Sequence, residues 1–166
     1  MGAEQAGAAK APQVTEEARA LVGAVTAVHT SEPVSLRQIR EYVAGTGGRP
    51  EQWGDPADPH APVVAPPLFF HAACRPVVAE ADLLEDGQYP FLGVPGVTGR
   101  TMAGGHTYEL LAPVRVGDVL TAGSRLLSVE EKTGRTGPLV ITTTETEYSN
   151  QEGVMVARYR QTVIFR

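Results

Sequence analysis

The run from residue 139 to 148 constrains this chain most: Val140, Thr142, Thr144, Thr146 and Tyr148 alternate with Leu139, Ile141, Thr143, Glu145 and Glu147. This alternation, in a run rich in β-branched residues, lets one face of a strand pack while the other stays wet. Thr107–Leu111, Gly117–Glu131 and Val154–Phe165 are likewise rich in Val, Thr, Ile and Tyr. The links KTGRTG and SNQEG suit antiparallel hairpins. The C-terminal part is therefore expected to form one long antiparallel sheet.

The N-terminal part reads differently. Residues 1–13 (MGAEQAGAAKAPQ) lack hydrophobic periodicity and read as a flexible tail, leaving 14–166 as a single domain. Leu21, Val22, Val25 and Val28 fall on one helical face, which predicts a helix over 15–30 with Thr15 as N-cap and Glu16 and Glu17 in its first turn. Ser35 opens a second helix, SLRQIREYVAG, closed by Gly45, Gly47 and Gly48. Prolines at 50, 56, 59, 62, 66 and 67 make 49–67 a loop. Pro66 and Pro67 suit the first turn of a helix LFFHAACRPV, apolar nearly all round and so expected to be buried on all sides. Residues 75–100 read as a long connection with a helical turn in PVVAEADLL. Helices before strands, with one buried helix against one sheet, give an α+β architecture.

With 166 residues the chain has one domain's worth of core, and a mean hydropathy of −0.11 is that of a globular protein. Its single cysteine cannot form an internal disulfide, and no Cys/His set has zinc-ligand spacing, so no metal is expected. Net charge −5 argues against a nucleic-acid binder, whose affinity comes from Lys and Arg on phosphates. No apolar run reaches the roughly 20 residues of a membrane span. The start lacks a signal-peptide core, and Ala6 stands where myristoylation needs Ser or Thr; a cytoplasmic protein is expected. No dinucleotide fingerprint, Walker loop or G-x-S-x-G elbow is present, so those enzyme classes drop out. Cys74, three residues after His71 in an apolar segment, reads as a core thiol with nothing polar to depress its pKa.

Several pieces together carry a resemblance. They are the helix end Tyr42-Val-Ala-Gly-Thr-Gly-Gly48, Gly54-Asp55-Pro56, Val64-Ala65-Pro66-Pro67, Pro113-Val-Arg-Val-Gly-Asp118, Gly104-Gly105, Val129 to Pro138, and Thr144-Glu-Thr-Glu-Tyr148. In order and spacing they resemble the MaoC-like (R)-specific enoyl-CoA hydratase/dehydratase family, from about Ser35 to Arg166, and most of all the N-terminal, non-catalytic half of its double members. The resemblance implies a hot-dog fold, a long antiparallel sheet wrapped around a central helix.

The family's chemistry uses an Asp and a His five residues apart, just after the first helix, to activate a water that adds across an enoyl thioester. One group takes a proton while the other delivers one. Counted from the Tyr-to-Gly helix end, the Asp position is Gly48 and the His position is Trp53, with the family's Asp-Pro falling on Asp55-Pro56. In this alignment the pair is absent. A rival one places it on Asp55 and His60, seven residues further from the helix.

The resemblance further implies that two hot-dog halves pair into a working unit. This chain is then expected to be the structural, substrate-shaping subunit of a heteromeric enoyl-CoA hydratase. The catalytic Asp and His would lie on a MaoC-like hot-dog partner, and the substrate would be a bulky acyl-CoA such as a steroid side-chain thioester. The thioester is a substrate; no cofactor is implied. Trp53, Phe69, Phe70, Met102, Gly104, Gly105 and His106 are candidates to line an acyl site, and Arg100, Lys132 and Arg135 to meet coenzyme A phosphates. Each also has a plain reading. The aromatics pack, the glycines bend the chain, His106 bonds backbone at the start of a strand, and the basic residues are solvated. Two other functions stay open: a homodimeric hydratase or thioesterase using Asp55 and His60, and a non-enzymatic acyl-thioester-binding protein.

Overall fold

The computed structural model describes residues 12–53, 63–83, 87, 89 and 94–166. Its elements in chain order are β1 (Gln13–Val14), α1 (Glu16–Ala20), β2 (Val25–Thr30), α2 (Leu36–Gly45), α3 (Phe69–Ala73), β3 (Val97–Thr98), β4 (Thr101–Leu110), β5 (Thr121–Gly134), β6 (Gly137–Ser149) and β7 (Met155–Phe165). Five strands form an antiparallel sheet ordered β2-β5-β6-β7-β4. A small second pair joins β1 to β3, so that Gln13, at the end of the stretch read as a tail, lies opposite Thr98.

The expected helix over 15–30 is corrected. Thr15 does cap a helix, its hydroxyl accepting from the Ala18 N–H, but α1 stops at Ala20. Gly23 then turns with φ +88° and donates its N–H to the Leu126 carbonyl, and the β-branched run that follows pairs with β5 as β2. Val25 and Val28 suit helical spacing and strand propensity equally, and β5 offered them backbone partners. The second helix forms as read. Ser35 and Gln38 make a reciprocal capping box, and Ile39 and Val43 are the buried face.

The central helix is shorter than expected. Leu68 sits in the left-handed region (φ 68°), so Pro66 and Pro67 precede α3 and are not its first turn. Arg75-Pro76 ends it after five residues, because Pro76 has no N–H to donate. Nor is it buried on all sides: Phe69, Phe70 and Cys74 are, while Ala72 is exposed. The first long strand, β4, begins at Thr101, six residues before its expected start, and passes Gly104-Gly105 in a bulge opposite β7. β5 begins at Thr121 rather than Gly117: the chain turns at Val116 and Gly117 (φ +93°), with the Asp118 carboxylate accepting from the Arg115 N–H at 2.7 Å.

Burial divides the sheet's faces as the alternation requires. On β6, Val140, Thr142 and Tyr148 are buried, while Glu145 and Glu147 on the other face pair with Arg160 and Arg158 across the strands. The buried face carries two cores. At one end α2 and α3 pack Ile39, Val43, Phe69 and Phe70 on Leu120, Ala122, Tyr148 and Ala157. At the other, Ala18 of α1 with Val94 and Val97 covers Leu126, Val140 and Phe165.

Candidate functional site

Because α3 is short, the middle of this inner face has no helix over it. A cavity of about 690 Å³ lies there, lined by His71, Cys74 and Arg75 from α3 and its end, Val94–Val97, and strand residues from β2, β5, β6 and β7. Hydrogen bonds organise its polar wall. His71 Nδ1 and the Tyr148 hydroxyl are 3.0 Å apart, and Arg75 Nη2 lies 3.4 Å from His71 Nε2. The Tyr159 hydroxyl is 2.6 Å from His106 Nδ1, and the Tyr159 ring lies between Tyr108, stacked at 4.8 Å, and His71, edge-on at 5.0 Å. Ser124 and Thr146 share a 2.8 Å hydroxyl bond.

Burial, followed by the positive charge of Arg75, holds His71 below the usual imidazole range, which favours its neutral form. Burial also pushes the Cys74 thiol up to about 12, and it makes only a 3.7 Å contact with the Leu120 carbonyl. A nucleophilic thiolate is thus excluded at neutral pH. Tyr148 and Tyr159 are raised by burial as well and stay protonated. No Asp or Glu lines the cavity among the described residues. The wall can donate and accept hydrogen bonds, but it holds no carboxylate base.

The sequence candidates are dispersed. Phe69 and Phe70 are core residues, edge-on to Tyr42 at 5.5 Å and Tyr148 at 4.7 Å. Trp53 packs partly buried against the same core, its carbonyl accepting from Arg40 Nε. Gly48 ends the α2 turn, where a Cβ would lie 2.6 Å from Val43 Cγ1. Met102 is 41% exposed, on the strand face away from the cores. Gly104 faces Thr162 at the bulge, and Gly105 has open space. His106 is a mid-strand residue bonded to Tyr159, not to backbone at a strand start. Arg100 closes a backbone pair with Arg166, Lys132 pairs with Glu130 at 3.0 Å, and Arg135 lies exposed at the β5–β6 turn; none lines the cavity. Asp55 and His60 lie outside the described residues. Sequence reading missed His71, Tyr148, Tyr159 and the Ser/Thr/Gln wall. Their signal was the threonine run on the packed face of β6, where valine would serve a dry core better.

The five-stranded antiparallel sheet, with its few helices packed on one face, is the α+β arrangement of a hot-dog domain. Residues 20–159 match the family described as "FAS1-like, dehydratase domain region", and the chain belongs to that family. Solved structures share the fold. A chain of the ChsH1-ChsH2 complex of Mycobacterium tuberculosis is 15% identical with a TM-score of 0.64, over 90% of this chain and 89% of that one. A chain of the HadBC (3R-hydroxyacyl-ACP dehydratase) complex of the same organism is 20% identical with a TM-score of 0.58, over 87% and 96%. A MaoC-like dehydratase of Rhodospirillum rubrum is 20% identical with a TM-score of 0.55, over 87% and 92%. No curated protein sequence gives a significant match. Among the described residues no helix is long and apolar enough to cross a membrane, and no three acidic, His or Cys side chains cluster as metal ligands.

Proposed function

We propose that this chain is the non-catalytic, substrate-shaping subunit of a heteromeric enoyl-CoA hydratase acting on a bulky acyl-CoA, such as a steroid side-chain thioester. The observation that carries the reading is the helix end. At Gly48 an Asp side chain would strike buried Val43, and Trp53 occupies the histidine position packed against the core. The cavity supports the same division of labour: it has room for a large group and, among the described residues, no carboxylate to pair with a histidine.

A partner is supported by β4. It pairs with β7 on one side, and its other side is a sheet edge over ten residues. Such an edge invites another strand. Met102, Tyr108, Leu110 and Leu111 are exposed on and just after it. Two of the similar structures are complexes of two named proteins, ChsH1-ChsH2 and HadBC. The reading predicts that co-expression with a catalytic hot-dog protein encoded beside it yields a stoichiometric complex on size exclusion. Separate elution of the two chains would overturn it.

A further inference from the structure

The inner face of the sheet is apolar at both ends and polar between them, and the polar zone runs across strands. Reading from β5 to β4, one cross-strand row is Ser124, Thr146, Tyr159 and Tyr108, and the next is Leu126, Thr144, Gln161 and His106. The row before is Ala122, Tyr148, Ala157 and Leu110; the row after is Val129, Thr142, Val163 and Ala103. Each of the four strands thus brings at least one polar side chain to this level, where the cavity lies, while Leu126 stays in the second core.

The donors there are only partly used. Arg75 donates toward His71 Nε2, so the ring proton sits on Nδ1 and is given to the Tyr148 oxygen. The Tyr148 O–H is then free to donate to whatever occupies the cavity. The Ser124–Thr146 pair uses one hydroxyl hydrogen and leaves the other. Thr144 and Gln161 line the cavity and have no side-chain hydrogen bond to any described residue.

We infer that this cavity binds an uncharged organic group bearing a hydroxyl or carbonyl oxygen, with Tyr148 as the donor to that oxygen. A plain alkyl group would bury Thr144, Gln161 and the Ser124–Thr146 pair against nothing that can bond them, which is costly. An ionised group fits no better. Among the described residues no carboxylate awaits a cation, and the lining's one permanent charge, Arg75, is set over the Tyr89 ring at 5.0 Å and against His71. The inference rests on the substrate-shaping role proposed above and adds which substrates that shape admits.

The test is calorimetric titration of dodecanoyl-CoA and 12-hydroxydodecanoyl-CoA into the full chain and into its complex with the catalytic partner. The expected result is about tenfold tighter binding of the hydroxylated thioester, the order of discrimination for a site whose polar groups would otherwise stay unpaired. Tyr148→Phe keeps the ring against Phe70 and should reduce the preference to about twofold or less. Thr146→Val, which is nearly isosteric, should reduce it partway. Equal binding, tighter binding of the unsubstituted chain, no binding of either, or a full preference surviving in both variants would overturn the inference. The subunit role is read separately, from complex formation and hydration rate, so an active complex without this preference removes only the inference. A preference without complex or turnover removes only the role.

Discussion

The ends and the middle of the sheet's inner face are built from the same strands, yet they solve different problems. At the ends, Ile39, Leu120, Leu126, Val140 and Val156 are almost wholly removed from water. In the middle, the same strands present Ser124, Thr144, Thr146 and Gln161 to a cavity. Filling that gap with apolar side chains would have been the stabilising choice, at about 25 cal/mol for each Å² of apolar surface buried. Keeping it open and polar contributes little to folding, so stability and ligand binding are separated along the strands.

Truncating each region should expose the difference. Ile39→Ala and Leu126→Ala, one in each core, are expected to cost about 2–5 kcal/mol in denaturant unfolding, the range for a large buried aliphatic. A loss under about 1 kcal/mol at either position would mean that end is not a packed core.

Cys74 sits where core and cavity meet. With its thiol raised to about 12 and its side chain buried, alkylation at pH 8 should run at least about 100-fold slower in the native chain than in denaturant. Rapid native labelling would place Cys74 on the cavity side of that boundary.

The cavity should also leave its mark on pH dependence. Arg75, His106, Tyr148, Tyr159 and Cys74 surround His71, whose folded pKa lies below the unfolded value of 6.5. Between those two values the unfolded chain binds more protons. His71 therefore contributes stability that is complete above pH 6.5 and declines as pH falls toward the folded pKa. His71→Asn should flatten that part of the curve of unfolding free energy against pH; an unchanged slope would assign it to other groups. The smallest effect belongs to the polar wall itself. Thr144→Val should change stability by less than about 1 kcal/mol in either direction, and a core-sized loss would erase the contrast between the regions.

How much of this was legible follows from which residues have a local signal. The strands of residues 121–165 were readable because their period of two and their turns are local properties; the Asn150 carboxamide, for example, accepts from Glu152 and Val154 to shape the β6–β7 turn. Residues 15–30 misled because Leu21, Val22, Val25 and Val28 satisfy a helical stripe, and only the distant β5 decides for a strand. The length of α3 depended on the conformation of Leu68 and on Pro76, of which only the proline was visible. The cavity wall was hidden for the same reason. His71, Tyr148 and Gln161 are far apart in sequence, and only the β6–β7 pairing and the end of α3 bring them together. Gly48 and Trp53, by contrast, were singled out from the sequence through family alignment; Gly48 closes on Val43 and Trp53 packs against the core.

The central claim is that this chain shapes the substrate and another supplies the base. Its most direct test is the rate of hydration of a medium-chain enoyl-CoA and of a bulky one, such as a steroid side-chain enoyl-CoA, followed by loss of the enoyl thioester absorbance, for the purified chain, the purified partner, and the two together. The account predicts no turnover by this chain alone, and for the complex a rate at least about tenfold above that of the partner with the bulkiest substrates. Turnover by this chain alone that is abolished by His60→Ala would contradict it.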